Sequence, residues 1–150
     1  MKKPVRSKSC LVALLLALVG LVGWVALPDP LRSWLEPTAH AASMTFVVNS
    51  VADPGDGTCN TSNCTLREAM NAANNNLGLD TINFNIAGAG VKTINLNSAL
   101  PTITDPVLIF GFTQPGYAGT PLIELNGTSA GAGQHGLQLA SGQSVVVALT

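Results

Sequence analysis

After Asp80 the chain never returns to a helical period, and that restriction limits most of what it can fold into. Ile82, Phe84 and Ile86 alternate with Asn83 and Asn85, and Ile94 and Leu96 alternate with Asn95 and Asn97. Further short apolar runs stand at Val107–Phe110, Leu122–Leu125, Leu137–Leu139 and Val145–Leu149, each set apart by Gly, Pro, Asn or Thr. Alternation at period two marks strands, and such separators mark turns. With no helix between these runs, parallel pairing through helical crossovers is not supported there. Two arrangements remain: a small sandwich, and a solenoid with three short strands per coil and a core shared between stacked coils. Sandwich strands are usually longer and alternate apolar-in with polar-out, whereas Asn at the strand margins suits a stacked coil. The expected class is all-β, with a solenoid over residues 81–150.

Before Asp80 the pattern differs. Thr45–Val51 is rich in β-branched and aromatic residues and reads as a strand with Phe46 and Val48 on one face. Asp53-Pro54-Gly55-Asp56-Gly57 carries two turn dipeptides and leads into a loop containing Cys59 and Cys64. Thr65-Leu66-Arg67-Glu68 then places a hydroxyl and a carboxylate three apart, the spacing at which they cap a helix start reciprocally. Leu66, Ala69, Met70 and Ala73 continue as one apolar stripe, and Asn74-Asn75-Asn76 with Gly78 ends the helix. Residues 42–80 are therefore expected to form an N-terminal cap.

Residues 1–41 read as a leader: Lys2, Lys3, Arg6 and Lys8 precede the uncharged run Leu11–Leu27, and Ala39-His40-Ala41 offers a small-x-small cleavage site. Pro28–Thr38 is a long spacer for such a signal, so an uncleaved anchor through Leu11–Leu27 is the alternative. The expected location is extracellular or in the cell envelope. Cleavage after Ala41 leaves two basic residues, Arg67 and Lys92, against six acidic ones, a formal charge of -4. Two cations cannot track a phosphate backbone, which excludes nucleic acid as a partner. Cys59 and Cys64, five apart in an exported chain, suit a disulfide that pins the loop to the helix. Two free thiols are the alternative, and a metal site would need more ligands than the chain offers nearby.

Cys64-Thr65-Leu66-Arg67-Glu68-Ala69 resembles the motif that names the CSLREA domain, with Thr65 in place of serine. The likeness extends through Thr45–Ser50, Asp80–Phe84, Thr113–Tyr117 and Leu122–Gly127, nearly all of residues 42–150. It implies an exported bacterial surface protein in which this region opens a right-handed parallel β-helix. The apolar run from Val145 reaches Thr150 with nothing to cap the last coil, so the chain is expected to be the N-terminal piece of a longer protein. Its function is then structural or adhesive, with downstream coils of the same protein and cell-surface glycans or proteins as partners. A carbohydrate-active lyase or hydrolase with catalytic residues beyond Thr150 is the competing class, and a sugar-binding module using Phe112 and Tyr117 is a third.

No catalytic, cofactor-binding or metal-binding residue is expected among these residues. Gly127-Thr128-Ser129-Ala130-Gly131 spells a nucleophile elbow, yet glycines follow where a helix must, and no acid lies beyond Glu124 to orient His135. Gly131–Gly136 spells a dinucleotide fingerprint with neither the helix nor the later acid that it needs. Asp53, Asp56 and Asn60 lack the alternating ligands of a calcium loop and read as turn formers. Asp80, Asp105 and Glu124 are spaced so that stacked coils would align them as an acidic cluster, though Asp105-Pro106 reads as a turn. Arg67 is expected to be a salt-bridge or packing partner of the helix.

Overall fold

The computed structural model describes residues 42–150, so the expected leader and the alternative span Leu11–Leu27 lie outside the described residues. The elements run β1 (Thr45–Val48), α1 (Leu66–Asn75), β2 (Asp80–Phe84), β3 (Lys92–Asn95), β4 (Val107–Phe110), a 3-10 turn (Gly111–Thr113), β5 (Ile123–Asn126) and β6 (Val145–Val147). All strand pairs are parallel. One sheet has the order β1-β2-β4-β6, and β3 pairs with β5 in a second. Among the described residues no helix is long and apolar enough to cross a membrane.

This architecture corrects the expected right-handed parallel β-helix. The described residues form two small parallel sheets with one short helix, and neither a solenoid nor a closed sheet is detected among them. Stacked coils of like length would bring each strand back at a constant interval. The observed pairs Thr45 with Thr81, Asp80 with Val107 and Leu108 with Val145 are instead 36, 27 and 37 residues apart, and Thr93 lies 31 from its partner Glu124. The expected strand at Leu137–Leu139 shrinks to one bridge between Leu139 and Ile103, leaving residues 127–144 without a named strand. Glycine-rich segments of unequal length cost the chain its period. Meanwhile α1 lies in the crossover between the parallel strands β1 and β2, whereas the other parallel pairs are joined by long connections without an α-helix.

Burial follows the pleat. In β2 the residues Asp80, Ile82 and Phe84 are buried while Thr81 and Asn83 are half-buried. The inward residues Val48, Ile82, Phe84, Val107 and Ile109 share one core with Ile94 and Ile123 from the second sheet, Leu96 just after β3, and Leu66, Ala69, Met70 and Ala73 from α1. Burying each of the larger side chains contributes about 1.5–3 kcal/mol. Side-chain amides complete the backbone pairing where strands stop. Gln114 Oε1 accepts from Ile86 N–H at 2.9 Å and its Nε2 donates to the Ile86 carbonyl at 2.7 Å, so one buried side chain stands in for a strand neighbour. Asn74 does the same for Thr102 and Thr104.

The last residues dock closely. Thr150 N–H donates to the Ile123 carbonyl at 3.0 Å, and Leu125 N–H donates to the Thr150 carbonyl at 2.8 Å. Gly111 makes this possible, since a Cβ there would overlap the Ala148 carbonyl oxygen and crowd the Leu149 side chain. Gly111→Ala is therefore expected to lower unfolding free energy by about 1–3 kcal/mol and to speed hydrogen exchange at Thr150. Unchanged exchange there would show that this approach is not what seats the segment.

Candidate functional site

The Cys64–Ala69 motif is a structural junction in which each residue has a separate task. Cys64 is bonded to Cys59, and its N–H donates to Asn49 Oδ1 at 2.8 Å. Its carbonyl accepts from the N–H groups of Asn49 and Ser50, which ties the loop to the end of β1. Thr65 is the N-cap of α1. Its Oγ1 accepts from Glu68 N–H at 3.3 Å, and Glu68 Oε2 accepts from Thr65 N–H at 2.8 Å. Leu66 and Ala69 are buried in the core.

Glu68 does more than cap. It is buried, and its Oε1 accepts from Gly57 N–H at 2.5 Å, holding the turn against the helix start. Gly55 has φ +86, and a Cβ on it would overlap the Glu68 carboxylate, so glycine is required there on two counts. Arg67 reaches the same turn from the other side. Its Nε and Nη2 donate to the two carboxylate oxygens of Asp53 at 2.6 and 2.8 Å, while Nη1 and Nη2 donate to the carbonyls of Ala99 and Ser98. Asn97 N–H also donates to Asp53 Oδ2 at 2.9 Å.

These contacts set the charges of the pair. Burial of Asp53 pushes its carboxyl up, but the Arg67 hydrogen bonds, the Asn97 N–H and the guanidinium charge prevail and hold it below the usual value of 3.8. The same hydrogen bonds raise Arg67, against the opposing effect of burial.

The other singled-out residues are scattered. Asp56 Oδ1 accepts from Thr58 N–H, the first cause of its lowered pKa, and Asn60 Oδ1 accepts from Ser62 and Asn63 N–H; both are turn bonds. Asp80 is fully buried and accepts from Met44 N–H and Asn76 Nδ2 through Oδ1, leaving Oδ2 without a partner. Asp105 accepts from Gly78 N–H, whereas Glu124 is exposed in the second sheet and accepts from Thr93 Oγ1. Among the described residues no three His, Cys, Asp or Glu side chains come together as a metal site. Ser129 is exposed in a turn and His135 is exposed in an irregular segment, with no helix after them, and Gly131 and Gly133 adopt φ +102 and +71. Lys92 is buried and donates to the Ala89 carbonyl.

The outward face of the four-stranded sheet is the surface that sequence reasoning missed. Residues paired in parallel register share a face, so two rows run across it: Thr45, Thr81, Leu108 and Val145, and Val47, Asn83, Phe110 and Val147. No charge interrupts either row. Val47, Val145 and Val147 are 40%, 44% and 40% exposed. Phe112 extends the patch at 41% exposure, with its ring 4.9 Å from that of Phe110 and 6.4 Å from that of Tyr117. Leu108, Phe110, Val145 and Val147 thus lie on the outer face, and the unalternating runs Val-Leu-Ile-Phe and Val-Val-Val were the signal of two apolar faces.

With this geometry in hand, comparison with known proteins returned nothing: no protein-family model matches the chain, and no match was found among curated proteins or among solved structures.

Proposed function

We propose that this chain is an exported structural and adhesive protein of the CSLREA kind, with the outward sheet face and its aromatic cluster as the contact surface. The observation that carries the reading is the uncharged double row ending in Phe110, Phe112 and Tyr117. Uncharged surfaces rich in exposed apolar side chains mark interaction sites, and tilted aromatic rings offer stacking faces to sugar rings or to apolar side chains. The Cys59–Cys64 disulfide supports an oxidising compartment. The junction around Cys64–Ala69 supports a structural use of the motif, since its polar groups are spent on holding loop, helix and strand together.

The test is retention of the intact chain on insoluble cell-wall polysaccharide and on peptidoglycan sacculi. Replacing both Phe112 and Tyr117 with alanine is expected to weaken retention about tenfold, the effect of losing one or two stacking contacts. Equal retention of the double variant and of Val147→Lys would remove this face from consideration.

A further inference from the structure

A second surface, which meets the outward face at Thr45 and Val47, lies along the free edge of β1. β1 ends its sheet, and its ladder to β2 uses alternate residues: Thr81 N–H donates to the Met44 carbonyl and Asn85 N–H donates to the Val48 carbonyl. The parallel repeat then directs the backbone groups of Met44, Phe46 and Val48 toward β2 and those of Thr45 and Val47 away from it. Among the described residues nothing pairs with those outward N–H and C=O groups. They border a cleft of about 510 Å³, lined by Met44, Val47, Asn49, Cys59, Asn60 and Thr61 among others. The far wall is held in place, because Asn49 Nδ2 donates to the Thr61 carbonyl at 3.0 Å and the disulfide anchors Cys59.

We infer that this cleft takes an extended, uncharged peptide segment of a partner protein, which adds as a further strand beside β1. The edge offers donors and acceptors alternating at the spacing of a strand, and an extended backbone is the ligand whose partial charges complement that pattern. The lining carries no charged side chain and supplies apolar surface beside neutral amides. Its ligand is accordingly uncharged, with alternate apolar side chains. The site continues the β1–β2 pairing by one strand, in a cleft that the loop 59–61 also lines.

The probe is the terminally blocked hexapeptide Thr-Val-Thr-Val-Thr-Val, titrated into the isotopically labelled intact chain while amide shifts and hydrogen exchange are followed. Binding is expected to shift and slow the Thr45 and Val47 amides, and N-methylation of alternate peptide amides is expected to weaken it about tenfold or more. Val47→Pro, which removes an outward N–H without touching the ladder to β2, is expected to weaken it similarly. The inference is overturned if the Thr45 and Val47 amides are unchanged at millimolar peptide, if the responses map to another strand, or if the N-methylated peptide binds equally well. None of these outcomes bears on retention through Phe112 and Tyr117, so the two surfaces are tested separately.

Discussion

Glu68→Ala is expected to lower the free energy of unfolding by about 3 kcal/mol, among the largest effects of any single substitution in this chain. The buried carboxylate serves three donors: the Gly57 and Thr65 N–H groups and the Thr65 hydroxyl. Alanine leaves the buried Thr65 N–H without an acceptor, worth about 1–3 kcal/mol, removes half of the capping box, and releases the exposed Gly57 turn from the helix start. Glu68→Gln should lose less, because its carbonyl oxygen still accepts one bond while its amide faces the other donors. Urea denaturation of the three proteins, disulfide intact, measures the series. A loss below about 1 kcal/mol for alanine would mean that Glu68 does not hold the turn.

Arg67→Ala is the second large effect, at about 2 kcal/mol, the scale of losing hydrogen bonds to a charged group. The Asp53 side chain is only 2% exposed beneath the guanidinium, and alanine takes away both of the charge-assisted hydrogen bonds that cover it. It also releases the carbonyls of Ser98 and Ala99 that the guanidinium ties to the helix. The pair carries a pH dependence whose sign follows from the depressed carboxyl. A group held below its unfolded value of about 3.8 stabilises the fold fully above that value, and the contribution disappears as pH falls through the lower folded value. The parent protein should therefore lose stability below about pH 4, and Arg67→Ala should show a weaker loss over the same window. Parallel acid titrations of the two proteins, followed by circular dichroism, would refute the assignment if the curves kept a constant separation.

Local chemistry was enough for several parts of the molecule. The Thr65-to-Glu68 spacing marked the start of α1, because a cap requires only residues three apart on one chain segment. Alternation around Ile82 and Phe84 marked β2, since the pleat writes burial directly into the order of residues. The same reasoning failed for the coil assignment. Period two reports that a segment is extended and says nothing of which strand lies beside it; that choice rests on connection lengths, and here they are unequal.

The candidate surfaces divide in the same way. Phe112 and Tyr117 stand out in the sequence as aromatics, but their alignment with Phe110 and Val147 exists only once β4 and β6 pair in register. Arg67 reads as a salt-bridge residue of a helix, yet its partner Asp53 lies 14 residues away and its carbonyl acceptors lie 31 and 32 away. Gln114 carries no local signal at all, and its pairing with the Ile86 backbone spans 28 residues. Helix caps, turns and pleats act within a few residues and are legible there. Sheet order, the exposed apolar face and the Arg67–Asp53 ion pair arise from contacts across tens of residues, where packing of a common core selects the neighbours.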